Sequence, residues 1–490
     1  MDNIAWHDVQ GLLLSGYPQL PWSVYLPFRW RDGAAEGARA WLGALAPRLM
    51  RAGAAGEPAA PGGAAAPHLQ LLKAKAPPVA LNLALTAPGI AAVSGAAALA
   101  PFSLEFREGM APARGNGPVP RRCNVLGDLG ASSPASWDWG GWNGNPSVDG
   151  LLMLFAADEA TLEALVAREL EALRRVAEPL VAPDNGGPLR LTSRLYDDLK
   201  EHFGFRDGIS QPIIEGSPRA ERLAENREAY RIHVVKPGEF VFGYPNERRV
   251  TSGRDDLRNN GSYLVLRQLE QDVAEFNRFV EQAARQMPDP SPLAVKCEWI
   301  RARLVGRDSD GVPLARASDG TVGGDGELAR AKINDFLFAH EDPAGLRCPI
   351  GSHIRRANPR DGRGDDPEAA LLLSRMHRLI RRGRMYGERF DPARPDDGGR
   401  RGTLFMALNA DIAGQFEMIQ HSWLNNRHFG DRHVGTDPLG HLDETEEAIV
   451  IQDRPVNLVL DKRKPFVRVR GGAYFFLPGI EAVRRMAQPV

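Results

Sequence analysis

The chain has 490 residues, is 43% hydrophobic and 25% charged, and carries 61 Lys and Arg against 62 Asp and Glu. These proportions exclude wholesale disorder, a coiled coil and a collagen-like repeat, and a net charge of −1 gives no global attraction to nucleic acid or an anionic membrane. Three scattered cysteines (Cys123, Cys297, Cys348), with no CxxC pair, exclude a disulfide framework and a zinc motif of that type, and fit a reducing compartment.

The first residues, MDNIAWHD, lack a basic stretch followed by an apolar one, so no secretory signal is expected. A strand-like run at Ser23–Phe28 precedes a helix over Ala35 to Met50. The segment 53–67 is Ala/Gly/Pro-rich and reads as a loop. No charge occurs between Lys75 and Glu105, but prolines and glycines interrupt that run. It predicts a strand at Val79–Leu85 and a short Ala-rich helix rather than a membrane span. A strand at Leu151–Phe155 leads into a helix over Glu159–Val176, whose Leu162, Leu165, Val166, Leu170 and Leu173 share one face.

Turn formers at 182–188 mark a soft boundary. Beyond it, strands are predicted at Tyr263–Leu266, Leu404–Leu408, Ile449–Val450 and Tyr474–Leu477, and helices at Val273–Met287, Ala369–Gly383 and Ile412–Leu424. The charged, Gly-rich stretch from Arg307 to Glu327 reads as surface loop. Irregular alternation of strands and helices favours an α+β fold over a regularly wound βαβ sheet. The two halves have similar content, which leaves a duplicated unit open.

Three segments concentrate chemistry. In FGFRDGISQP (203–212), Gly204 and Gly208 permit positive φ or close ligand approach around Asp207, which can act as acid or base or cap a turn. In CPIGSHIRRANPR (348–360), one histidine and several arginines suit an anionic ligand such as phosphate or carboxylate; a basic surface loop is the alternative. HRLIRRGRMYG (377–387) fits the basic end of a helix. His421, His428 and His433 lack the i, i+4 spacing of a helical zinc pair. No phosphate-binding glycine loop, nucleophile elbow or dinucleotide fingerprint is present.

In this order, and together with LGD (126–128), SWDWG (136–140), PGEFVFGYPNE (237–247), GSYLVLRQLEQDV (261–273), LFMALNADI (404–412), GTDPLG (435–440) and VRGGAYFFLPGI (469–480), these segments resemble the dye-decolourising peroxidases. The similarity runs from about Val9 to Ile480, and the length is similar to the larger, cytoplasmic subgroup. The resemblance implies an α+β fold of two ferredoxin-like domains, 1–195 and 196–490. Their antiparallel sheets are flanked by helices in a dimeric α+β barrel-like arrangement, with haem b in the C-terminal half. It implies a peroxidase that reduces hydrogen peroxide and oxidises dyes, phenols or other one-electron donors through a ferryl intermediate. A haem-handling protein, deferrochelatase-like, is the alternative. His353 would ligate the iron and Asp437 would orient it. Asp207 and Arg381 would form the distal pair. Arg360 and Arg355 would meet the propionates, and Leu404 and Phe405 would line the wall.

The interval from His353 to Arg381 is longer than the family pattern because of an insertion at Asp361 to Leu373, which leaves Arg378 and Arg382 as competitors for the distal role. Asp308 stands where relatives commonly have Trp and is expected to lie away from the haem. Family members often pass electrons through surface Trp or Tyr. Trp423 and Tyr386 lie near the motif segments, with packing roles preferred. No nucleic-acid or membrane partner is expected, and a homodimer is the default assembly.

Overall fold

The structure is a computed structural model that describes residues 3–52, 78–113, 119–143, 145, 147–316, 333–395, 397–442, 447–462 and 465–489. The loop expected at 53–67 and most of the 307–327 stretch lie outside the described residues.

Nine strands form a closed antiparallel ring of eight positions, two short strands sharing one position. In chain order the strands are β1 (Trp22–Trp30), β2 (Val79–Leu85), β3 (Gly150–Ala156), β4 (Leu191–Arg194), β5 (Ser262–Gln271), β6 (Ile380–Arg381), β7 (Arg384–Tyr386), β8 (Gly402–Asn409) and β9 (Val467–Leu477). The first half is ordered β4-β1-β3-β2 and the second β9-β5-β8-β7, so both have the same order relative to the chain. The short β6 continues β7 in one register along β8. Single pairings close the ring, Phe476 with Leu85 and Met385 with Arg194. This is the expected α+β fold, and its repeated strand order is the duplication that composition left open.

Strand alternation gives the ring two faces. Tyr25, Phe155, Leu264, Leu404 and Phe475 turn into one core. Val24, Leu83, Leu152, Val265 and Ala407 turn outward to a second core beneath helices. The helices that matter here are α1 (Ala35–Leu45), α2 (Ala87–Ser94), α3 (Glu159–Leu173), α4 (Val273–Gln286), α5 (Leu293–Val305), α6 (His353–Ala357) and α7 (Pro367–Met376). Asp158 caps α3 by accepting the Thr161 N–H at 2.8 Å, and Asp272 and Asp366 cap α4 and α7 in the same way. The apolar stripe of α3, including Leu162, Leu165 and Val166, is buried as its spacing predicts.

Most predicted strands are present and longer than their apolar cores suggested. One prediction fails. The helix expected over Ala369–Gly383 stops at Met376, and Ile380–Tyr386 is a strand interrupted at 382–383. The Arg-rich pattern that resembled a helix C-terminus is a strand whose alternate arginines face opposite sides. Ile412–Leu424 is helical, but in two wide turns rather than a regular α-helix. No described helix is long and apolar enough to cross a membrane.

Gly402 on β8 is a sensitive point of the ring. A Cβ there would sit 1.9 Å from the backbone oxygen of Leu269 on β5. Gly402→Ala is expected to cost about 1–3 kcal/mol, read as a lower denaturant midpoint; an unchanged midpoint would contradict this packing.

Candidate active site

On the outer face of the second half lies a cavity of about 320 Å³. Its floor is sheet: Arg267, Leu269 and Gln271 of β5, Thr403 and Phe405 of β8, and Arg381 of β6. Its walls come from the 201–210 segment, the end of α5 and α6.

The 201–210 segment is held by Glu201. Its carboxylate accepts the N–H groups of Phe203 and Phe205, both at 2.9 Å, and the Gln271 amide at 2.6 Å. Gly204 (φ 95°) and Gly208 (φ 76°) take the positive φ that their identity allowed. Asp207 therefore faces the cavity with its Oδ1 accepting the Gly208 N–H at 2.6 Å and the Arg381 guanidinium at 2.7 Å. Burial opposes its charge, but Arg381 and the Gly208 N–H outweigh burial and hold the carboxyl below its ordinary value. Gln211 fixes the other partner, accepting the Arg381 N–H at 2.9 Å and donating to its carbonyl at 3.1 Å.

Among the three arginines in question, only Arg381 meets Asp207. The Arg382 side chain crosses to the other face and donates to the carbonyls of Leu12 and Leu13. Arg378 lines the cavity, and burial together with Arg381 pushes its guanidinium down to about 10.

His353 opens α6 and lines the same cavity. Its Nδ1 lies 3.1 Å from both oxygens of Asp437, which leaves Nε2 as the ring nitrogen not engaged by that carboxylate. Asp437 is fully buried and accepts the N–H groups of Leu439 at 2.9 Å and Gly440 at 2.5 Å. Burial pushes Asp437 up, but His353, Arg356 and the Gly440 N–H bring it to about 2. The same pair raises His353 above its ordinary value against burial.

The remaining expectations divide. Arg360 and Phe405 line the cavity, and Arg360 stacks 3.9 Å from the Phe336 ring centroid. Leu404 does not: alternation along β8 turns it to the inner core, where it is 1% exposed. Arg355 does not reach the cavity either. It donates to the carbonyls of Asp342 and Cys348 at 2.9 Å and stacks on Phe338. The described part of the 307–327 stretch is not simply surface, and Asp308 is not remote. Gly306 (φ 99°) ends α5 and turns the chain so that both Arg307 and Asp308 line the cavity. Glu201 and Phe416 are further lining residues that carried no sequence signal. Trp423 is 1% exposed and packs on His377, as a packing role requires, and Tyr386 is half-buried. Among the described residues, no group of three His, Cys, Asp or Glu is placed to hold a metal ion.

The dye peroxidase DyP2 of Amycolatopsis sp., described as multifunctional, is 31% identical over 374 residues, covering 72% of this chain and 74% of its own length. The chain belongs to the dye-decolourising peroxidase family. These are haem enzymes that reduce peroxide. A second relative, dye-decolorizing peroxidase AauDyP1 of Auricularia auricula-judae, is 30% identical over 301 residues, 58% of this chain. That sequence alignment takes in 55% of the relative's own length. A search of family models found no match. The solved structure of AauDyP complexed with imidazole superposes with a TM-score of 0.76 at 23% identity, over 99% of this chain and 100% of that one. An ancestral D-type dye decolorizing peroxidase gives 0.77 at 24%, covering all of both chains. These likenesses establish a shared fold for this peroxidase.

The His353–Asp437 contact makes a prediction independent of any cofactor. Asp437→Asn in the haem-free chain is expected to lower the His353 pKa, read by NMR titration of its ring protons; an unchanged value would show that Asp437 does not set it.

Proposed function

We propose that the cavity binds haem b through His353 Nε2 and that Asp207 and Arg381 carry out peroxide cleavage beside it. The charge of the cavity supports the cofactor. Six arginines line it (Arg206, Arg267, Arg307, Arg360, Arg378 and Arg381) against three carboxylates, Glu201, Asp207 and Asp308. Asp128, behind the wall, neutralises Arg267. The lining arginines outnumber the lining carboxylates, and the two propionates of haem b would reduce that imbalance. Arg360 and Arg378, both buried, would meet them in place of Arg355. Phe405, Phe416, Ile354, Leu379 and Leu439 supply apolar lining for the ring. The carboxylate on Nδ1 would orient the imidazole and raise its basicity.

Haem, when bound, supplies the iron at which peroxide is reduced and the electrons for that reduction. The chain supplies the proton handling. Cleaving peroxide requires a proton to leave one oxygen and reach the other while the departing oxygen gains negative charge. Asp207 is ionised and can accept that proton and return it. Arg381, always cationic, would stabilise the developing charge. The Asp207–Arg381 contact at 2.7 Å is the observation that carries this reading, because haem handling alone would need no such pair.

We also propose a division into domains after residue 195, supported by the equal strand order on either side. A cytoplasmic location is supported by three unpaired cysteines.

Stopped-flow mixing of the haem-loaded enzyme with peroxide tests the roles. Asp207→Asn is expected to slow the reaction by about a hundredfold or more; a wild-type rate would remove Asp207 from the mechanism. Asp207 works ionised, so the rate falls as pH drops through its pKa. Removing the Arg381 charge leaves burial unopposed and raises that pKa. Arg381→Leu is therefore expected to move the acid limb of the pH–rate profile to higher pH, and an unmoved limb would contradict the coupling.

A further inference from the structure

A second cavity, of about 560 Å³, lies at the end of β1 and the start of β3, beside α2 and the 106–111 segment. Equal strand order makes β1 and β3 the counterparts of β5 and β8. The end of β5 and the start of β8 form the floor of the first cavity, so the two halves carry cavities at equivalent ends. The volume suits a small organic molecule. No His or Cys is among the described lining residues, so nothing there repeats His353.

Asp149 is the one buried charged residue of this lining, 9% exposed. Its main chain is fixed twice. The N–H donates to the Phe28 carbonyl at 2.9 Å, and the carbonyl accepts the Thr86 N–H at 3.0 Å. Gly89 lets α2 close on it: a Cβ there would sit 1.8 Å from the Asp149 carbonyl oxygen. In the side chain, Oδ2 accepts the Trp30 N–H at 2.8 Å, and Oδ1 has no hydrogen-bond partner among the described residues. Burial, outweighing the Trp30 N–H and Arg29, raises this carboxyl above its ordinary value. A buried carboxylate with one oxygen unpaired carries a desolvation cost that a hydrogen-bond donor in the cavity would offset.

The neighbouring charges are engaged elsewhere. Arg29 and Arg31 both pair with Glu178, at 3.2 and 3.1 Å, and Glu108 pairs with Arg122 at 3.0 Å. Asp149 is therefore a buried anion without a counter-ion among the described residues. No group of three metal-ligating side chains is formed there among those residues, so an organic cation is the fitting partner. Trp30, Val93, Phe106 and Met110 give the cavity an apolar border. Trp30 packs edge-on against Phe28 and Trp41, with centroids 4.9 and 5.8 Å away, and its indole N–H donates to the Gly89 carbonyl at 3.1 Å. An aromatic residue that attracts cations is thus held beside the carboxylate.

We propose that this cavity binds an arylalkylamine, its ammonium group donating to Asp149 Oδ1 and its aromatic ring packing among Trp30, Phe106 and Met110. The site is separate from the first cavity, where lining arginines outnumber lining carboxylates and disfavour a cation. Binding is non-covalent and takes no part in the reduction of peroxide.

The test is calorimetric titration of the haem-loaded enzyme with phenethylamine, 2-phenylethanol and phenylacetate, which share one ring and differ in the terminal group. Phenethylamine is expected to bind at least about tenfold more tightly than the alcohol, the worth of one charged hydrogen bond. Phenylacetate is expected not to bind. Asp149→Asn keeps an oxygen for the Trp30 N–H and removes the charge. It is expected to weaken phenethylamine at least about tenfold and to leave the alcohol unchanged. Ala92→Trp fills the cavity from an exposed position on α2 and is expected to remove binding of both. The Soret band is expected to stay in place throughout the titration. Equal affinity for the amine and either control, or unchanged amine binding in Asp149→Asn, would overturn the ammonium–carboxylate contact. A Soret shift on amine binding, or binding that survives Ala92→Trp, would put the ligand elsewhere and overturn the site.

Discussion

Buried arginines gathered around one cavity are the constraint around which the second half of this molecule is organised. Arg307, Arg360 and Arg378 face the first cavity from three different segments, and burial pulls all three guanidinium groups below their ordinary values. Backbone carbonyls and one amide satisfy part of their hydrogen bonding: Arg307 donates to Gly311 and Asn334, and Arg360 to Phe336. Those partners are neutral. Burial of these guanidinium groups costs free energy that an entering anion would offset. In the reading proposed above, the haem propionates supply that anion, so cofactor binding and fold stability are linked.

The same strand solves a second problem. Ile380–Tyr386 must present one arginine to the cavity and keep the ring closed. Alternation does both. Arg381 turns outward to Asp207, while Arg382 and Arg384 turn inward. Arg384 is 1% exposed and donates to the carbonyls of Leu20, Gly16 and Tyr17, and Arg382 holds Leu12 and Leu13. The N-terminal segment thus fastens the strand from inside, and Gln211 fastens it from outside. The position of the Arg381 guanidinium is fixed from both faces, as electrostatic preorganisation requires.

Much of this was legible in the sequence, for identifiable reasons. Apolar runs marked Val79–Leu85 and Leu151–Phe155, strands buried along nearly their whole length, and the i, i+3, i+4 stripe marked the helix over Glu159–Val176 because it buries one face. The ordered motifs carried Asp207, His353, Arg381 and Asp437 to their positions in the geometry. Other parts depended on neighbours distant in the chain. The basic stretch after Met376 imitates a helix end, and only pairing with β8 makes it a strand. Leu404 and Phe405 are equally apolar, so choosing between them needs the face of the sheet. Arg355 and Arg360 lie on one segment, and Arg355 is drawn away from the cavity by the carbonyls of Asp342 and Cys348 and by the Phe338 ring. Asp308 reaches the wall because Gly306 reverses the chain after α5. The Trp30–Asp149 contact joins residues 119 positions apart and left no local trace.

In the function proposed above, the cavity recognises a dianionic, iron-bearing macrocycle by charge as well as shape. The most direct measurement is an equilibrium titration of the haem-free chain with haem b and, in parallel, with its dimethyl ester, in which both propionates are uncharged. The iron, the ring and the His353 bond are common to the two ligands. The expected result is a Soret band of similar position for both, with the ester bound more weakly by about a hundredfold or more, the loss of two charge-assisted contacts. Equal affinity for the two would contradict the claim.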